Sequence, residues 1–241
     1  MTNTILAKAA ALELPKRVYR VAELDEHGVS QSKAYRWARA DGPWTRLAPG
    51  VVLVAADAPT VRDRIEAALL RAGPGAMVTG LHAARLHGLK SPPEDAEVHI
   101  LIPHGRKIQS YAGTRFERTT RLPRPVMVDG IPVAPPVRAV MDGARSWQTT
   151  ALTRELLLEA ISKEGVCEFD ELVAEMGAGS RRGTALPRAI LRAERSRVAR
   201  PHPAPARPAE RPRAKSPQGS TTRFLRRALL SRLLPRAAVR T

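Results

Sequence analysis

Three turn or helix-ending signals restrict the structure of one N-terminal stretch more than any other feature of the sequence. The stretch, residues 27–55, reads HGVSQSKAYRWARADGPWTRLAPGVVLVA. Gly28 predicts a turn, and Asp41-Gly42-Pro43 ends any helix that precedes it. Pro49-Gly50 favours a tight turn, because proline presets one φ angle and glycine supplies a positive one. Only a short helix and a hairpin fit between these signals.

Residues 1–57 are predicted to form a winged helix-turn-helix unit with the order helix, helix, turn, helix, hairpin. The helices are expected at Thr4–Leu14, at Val21–His27 and, with Ser30 as N-cap, at residues 31 to about 40. The hairpin strands are predicted at Trp44–Leu47 and Val51–Ala55. Trp37 and Trp44 are expected in the core of this unit.

Residues 58–195 are predicted to form a second, α+β unit with a small sheet among helices. Thr60 and Asp63 form a capping box before a helix at 61–72, and Thr79 is a candidate cap for GLHAARLHGL. Strands are predicted at 97–103, 114–119 and 126–134, the last carrying an Asp-Gly hairpin signal. Further helices are expected at 137–145, 152–163, 169–176 and 185–195.

The composition changes after this unit. Residues 196–222 contain six prolines among Ala and Arg, which predicts a disordered linker. Residues 223–241 are predicted as a basic amphipathic helix or the remnant of one. Residues 195–241 hold 13 of the 40 Lys and Arg residues but one of the 23 acids, so the tail carries most of the net charge of +17. Such a tail is compatible with salt-sensitive nucleic-acid binding or with binding to an anionic membrane surface. The alternative is a remnant that has no partner.

The third predicted helix has an apolar face and a basic face. Ala34, Trp37 and Ala38 share the first face at a spacing of 100° per residue. Arginine and glutamine can read base edges in a major groove, and lysine and serine can contact phosphates. The predicted DNA-binding residues, with Arg46 on the hairpin, are Gln31, Ser32, Lys33, Tyr35, Arg36, Arg39 and Arg46. The alternative is a surface helix whose polar face is solvated. PHGRK, residues 103–107, is a second candidate for backbone contact.

Four segments stand in the order seen in a large actinobacterial family. They are RVAELDEHGVSQSKAYRWARADGPWTRLAPGVVLVA, GPGAMVTGLHAARLHGL, VHILIPHGRK and VDGIPVAPPVRAVMDGAR. The chain resembles, over roughly residues 15–195, proteins with an AbiEi-type antitoxin N-terminal winged helix. Many of these relatives end in an endonuclease-like domain akin to very-short-patch repair enzymes. The resemblance implies DNA binding and, in AbiEi systems, repression of the operon and opposition to a nucleotidyltransferase toxin.

The sequence departs from these relatives where their nuclease-like domain would start. A nuclease centre of this kind needs clustered carboxylates for a divalent metal and a lysine for the phosphate. No lysine has an acid two positions before it, and no acid follows Glu210. We therefore expect no enzymatic activity, no metal site and no cofactor. Cys167, the one cysteine, excludes an intramolecular disulfide.

These observations predict a cytoplasmic, non-enzymatic, antitoxin-like protein or transcriptional regulator. Its expected partners are double-stranded DNA and a cognate toxin protein, with no membrane partner other than through the basic tail. One alternative is a degenerate or truncated member of an endonuclease-like family with generic nucleic-acid binding. Another is a protein-interaction scaffold that binds a toxin and does not read DNA.

Overall fold

The computed structural model describes residues 14–55, 57–147, 149–163 and 166–198. It confirms the α+β fold class, with seven α-helices, one 3₁₀ helix and two sheets in the described part. The predicted helix at Thr4–Leu14 lies, except for Leu14, outside the described residues, as do 199–222 and 223–241. None of the helices described here is long and apolar enough to cross a membrane.

The first sheet contains three antiparallel strands in the order β1-β3-β2. The elements in chain order are β1 (Val18–Arg20), a 3₁₀ helix (Val21–His27), α1 (Gln31–Trp37), β2 (Thr45–Ala48) and β3 (Val51–Leu53). Strand β1 was not predicted. The predicted short helix at Val21–His27 is present with these bounds as a 3₁₀ helix, and it ends as expected at Gly28, whose φ is 74°.

Helix α1 is shorter than predicted and ends at Trp37 rather than near residue 40. In a longer helix the Trp37 carbonyl would accept a bond from the amide four residues on. Here it accepts the N–H of Trp44 at 3.1 Å instead. A Cβ on Gly42 would lie 2.0 Å from this carbonyl oxygen, so the turn that brings Trp44 back to the end of α1 requires glycine. Ser30 occupies the N-cap position, but its side chain makes no capping hydrogen bond.

Helix α2 (Val61–Ala72) packs against both sheets. Its N-terminus has the predicted capping box, because the Asp63 N–H donates to Thr60 Oγ1 at 3.1 Å. Ala67 packs with Val18 and Leu53 of the first sheet, whereas Ile65 faces the core of the second. All described residues belong to one compact unit, so the predicted division at residue 57 falls between two sheets that share a helix.

The second sheet contains five strands in the order β6-β5-β4-β8-β7. The strands are β4 (Met77–Thr79), β5 (Val98–Pro103), β6 (Thr114–Thr119), β7 (Val126–Val128) and β8 (Ile131–Val133). The central strand β4 was not predicted. The predicted strands at 97–103 and 114–119 correspond to β5 and β6, which pair in parallel. Asp129 and Gly130, with φ values of 48° and 78°, form the predicted Asp-Gly turn.

Five helices complete the fold and share a core of their own. They are α3 (Gly80–Leu86), α4 (Pro136–Ser146), α5 (Thr150–Ser162), α6 (Phe169–Ala178) and α7 (Ala185–Val198). Leu156, Leu157, Leu172 and Leu191 are fully or almost fully buried among them. Helix α7 extends to Val198, three residues into the predicted linker. Thr79 precedes α3, as predicted, but its hydroxyl bonds to Asp142 instead of capping the helix.

Candidate nucleic-acid interface

Helix α1 has one buried face and one exposed face. Ala34 and Trp37 are buried at 0% and 2% exposure, as the 100° spacing predicts. The opposite face is open to solvent. Its exposed residues are Gln31, Ser32, Tyr35 and Arg36. Four of the seven predicted DNA-binding residues are therefore side by side on one accessible helical surface.

Trp37 and Trp44 anchor the buried side of α1, opposite this exposed surface. Both indoles belong to a core cluster that also contains Tyr19, Leu24 and Val52. Val52 lies on β3, the central strand of the first sheet. The two tryptophans are therefore packing residues, as predicted, and they fix the helix on the sheet.

Lys33 occupies the border of the exposed surface. Its ammonium group lies 4.5 Å from the centre of the Trp37 ring, in a cation–π contact. The residue is half-buried, unlike its neighbours Ser32 and Arg36. Lys33 therefore contributes positive charge at the edge of the surface, while its stem covers the indole.

Arg39 and Arg46 lie outside the helix. Arg39 was predicted on the helical face, but the helix ends at Trp37, so Arg39 lies in the turn that follows. Its carbonyl accepts the N–H of Gly42 at 2.9 Å, and its side chain is exposed. Arg46 is exposed on β2, an edge strand, directly opposite Val52. Because opposite residues share a sheet face, Arg46 leaves the sheet on the side where Val52 packs against α1.

The charge of this surface is not neutralised by the described residues around it. Within the described residues, no acidic side chain forms an ion pair with Lys33, Arg36, Arg39 or Arg46. Unpaired guanidinium groups on a rigid, accessible surface are available for phosphate oxygens and for guanine edges.

A second charged cluster, which was not predicted, is buried between the second sheet and α4. The Asp142 side chain is 1% exposed and accepts hydrogen bonds from Thr79 Oγ1 at 2.8 Å and Arg138 Nε at 2.7 Å. Arg145 Nη1 lies 3.4 Å from the other carboxylate oxygen. The spacing of Arg138 and Asp142, four residues apart in one helix, is the signal that could have suggested the pair.

The same cluster continues through Glu117 on β6. His99 Nε2 donates to Glu117 Oε2 at 3.0 Å, and His99 Nδ1 accepts from Arg115 Nη2 at 2.8 Å. The hydrogen bond from His99 lowers the pKa of Glu117, and burial opposes that shift less strongly. Arg138 reaches both Glu117 and Glu175, at 3.8 Å and 3.6 Å. Each carboxylate faces a guanidinium group, so the cluster joins β4, β6, α4 and α6 as a structural ion network.

Other chemistry-bearing side chains also have structural contacts. His82 Nε2 and His87 Nε2 donate to the carbonyls of Ala96 and Ala134, each at 2.8 Å. Burial raises the pKa of the Cys167 thiol to about 12, so it is not a thiolate nucleophile at neutral pH. The described ranges contain no group of three or more His, Cys, Asp or Glu residues that could hold a metal ion.

Comparisons with known proteins identify a shared fold. No family model matches the chain, and no curated protein matches it. A crystal structure of the RV2827C protein from Mycobacterium tuberculosis is similar, with a TM-score of 0.53 and 16% sequence identity. The match covers 78% of this chain and 75% of that chain. The likeness is one of fold alone.

Proposed function

We propose that this chain is a non-enzymatic protein that binds double-stranded DNA through α1. The observation that carries the proposal is the exposed surface of α1 with Arg36, together with Arg39 in the turn that follows; neither cation forms an ion pair within the described residues. The helix would enter the major groove, where arginine reads guanine and serine contacts phosphate. Arg46 would contact the backbone beside it.

The order of elements supports a winged-helix interpretation. A 3₁₀ helix, a turn at Gly28, helix α1 and a hairpin follow one another, and β1 pairs with the second strand of the hairpin. The wing is short. Only Pro49 and Gly50 separate β2 from β3, and Val51, the next residue, already pairs with Arg20 of β1. DNA contact would therefore rest mainly on α1, with the hairpin in a supporting role.

The resemblance to AbiEi-type antitoxins favours a regulatory role in the cytoplasm. In such a role the chain would repress its own operon and bind a cognate toxin protein. The buried ion network and the helical core of α3 to α7 would then serve as a scaffold for that partner. Co-purification with the product of a neighbouring gene would support the toxin part of the proposal.

Salt-dependent gel shifts with a duplex selected from a random pool test DNA binding. The variant Arg36→Ala/Arg39→Ala should lose sequence-specific binding, whereas Arg181→Ala/Arg182→Ala should keep it. The control removes the same charge from two exposed arginines in the loop before α7. A chain ending at residue 198 should also keep specific binding. If only this truncation weakens binding, the basic tail binds nucleic acid generically and the proposal is wrong.

A further inference from the structure

A basic pocket borders the proposed DNA-binding surface on the side away from Arg36. It is a cavity of about 400 Å³ between α1, the Pro49-Gly50 turn and the C-terminal end of α2. Gln31 and Tyr35, one helical turn apart, form its wall on α1. The pocket therefore adjoins the helix that is proposed to enter the groove.

Three arginines from separate parts of the chain line this pocket, and none of the described acidic residues does. They are Arg20 at the end of β1, Arg71 in the last turn of α2, and Arg106 in the loop after β5. Glu23, the acid paired with Arg20, stands 4.0 Å from it and is not part of the lining. The cavity is therefore suited to an anion.

Two of these guanidinium groups are held in position by the end of α2. Arg20 Nε donates to the Leu70 carbonyl at 2.9 Å. Arg106 Nη1 donates to the Ala72 carbonyl at 3.0 Å, and its Nη2 reaches the Pro74 carbonyl at 3.2 Å. Cations are favoured at a helix C-terminus, and each arginine keeps further N–H donors for a ligand.

Arg71 is different because it is exposed and its side chain makes no hydrogen bond or ion pair with any described residue. An anion in the pocket would thus meet two fixed guanidinium groups, one free one, the Tyr35 hydroxyl and the Gln31 amide. Several donors around one small volume match the oxygens of a phosphate, which accepts charge-assisted hydrogen bonds from arginine.

We propose that this pocket binds one phosphate of the DNA backbone next to the groove that α1 enters. The inference rests on the proposed function and extends the contact surface to α2 and to the loop that contains Arg106. A contact of this kind positions the protein on the duplex and carries no sequence information. Its loss should weaken binding to all sequences equally.

The variant Arg71→Ala tests the proposal in the full chain. Affinity should fall about tenfold for selected and scrambled duplexes alike, as expected for one charge-assisted hydrogen bond. The slope of log affinity against log salt should shrink by about one, the value for one lost phosphate contact. Thermal unfolding should be unchanged, since the Arg71 side chain has no partner in the described structure.

The matched control is Arg64→Ala. Arg64 is also exposed on α2 and unpaired within the described residues, but it lies about 10 Å along the helix and outside the pocket. If Arg71→Ala and Arg64→Ala bind DNA alike while Arg36→Ala/Arg39→Ala loses specificity, the pocket proposal is wrong and the proposed function stands. If the wild-type chain shows no specific binding, the proposed function itself fails.

Inorganic phosphate distinguishes a DNA phosphate from a free one. Thermal unfolding is followed with added phosphate, at constant ionic strength, for the wild type and Arg71→Ala. A phosphate-dependent shift that requires Arg71, combined with normal DNA binding by Arg71→Ala, would assign the pocket to a free phosphate and overturn the proposal.

Discussion

The indole rings of Trp37 and Trp44 meet edge to face, with centroids 4.8 Å apart and planes at 86°. The Trp44 N–H also donates to the Trp37 carbonyl at 3.1 Å, so side chains and backbone join the end of α1 to the start of the hairpin. Edge-to-face pairs are favourable because the positive edge of one ring meets the negative face of the other. This contact fixes α1 relative to the first sheet.

Removing one ring of this pair should destabilise the protein strongly. Trp37→Ala should lower the free energy of unfolding by about 3–5 kcal/mol, the range for a large buried aromatic residue. Chemical denaturation measures the change. Tyr35→Ala, on the exposed side of the same helix, should stay within about 0.5 kcal/mol of wild type. Equal effects of the two variants would contradict the assignment of Trp37 to the core.

Glycine at position 42 should be needed for the turn that brings Trp44 back to the end of α1. Gly42→Ala brings a Cβ to 2.0 Å from the Trp37 carbonyl oxygen, so the loop must move. We expect a loss of about 1–3 kcal/mol or more in the free energy of unfolding, as for other overpacked sites. Gly105→Ala is the control, because nothing lies within 4 Å of its Cβ. A neutral Gly42→Ala would disprove the close approach.

The buried ion network should be sensitive to the loss of one carboxylate. Asp142→Asn leaves Arg138 and Arg145 without their buried counter-ion and should cost about 3–5 kcal/mol of unfolding free energy. Glu66→Gln breaks the solvent-exposed pair with Arg62 and should cost less than about 1 kcal/mol. Denaturant titration compares the two variants. A small effect of Asp142→Asn would contradict a structural role for the network.

Stability should fall in acid partly through Glu117. Its pKa is lower in the folded chain than its ordinary value of 4.5, so the unfolded chain takes up the proton first as pH falls. The stabilisation that Glu117 contributes to the folded state is therefore complete above its ordinary pKa of 4.5, and it is lost as the pH falls through the lower pKa of the folded chain. Glu117→Gln should reduce the slope of unfolding free energy against pH in acid. Parallel curves for variant and wild type would rule out this contribution.

The sequence predicts the elements that are bounded by strong local signals. Gly28, the capping box at Thr60 and the Asp129-Gly130 turn act through neighbouring residues, so their positions can be read directly. Strands β1 and β4 escape prediction because each contains three residues and has no room for an alternating pattern. Their existence depends on partner strands far along the chain.

The candidate site was predictable in composition but not in full geometry. The helical wheel identifies Arg36 as outward, since its orientation follows from the burial of Trp37. The position of Arg39 depends on where α1 ends, which the Trp44 amide decides. Asp142 looks like a surface acid in sequence, because its partner Thr79 lies 63 residues away. Such long-range contacts leave no local pattern.

The most direct test of DNA reading by α1 is the ratio of affinities for a selected and a scrambled duplex. Fluorescence anisotropy at fixed salt gives this ratio for the wild type and for Arg36→Ala/Arg39→Ala. We predict a ratio well above one for the wild type and close to one for the variant, with the folded state intact by circular dichroism. A variant that keeps the wild-type ratio would contradict the account.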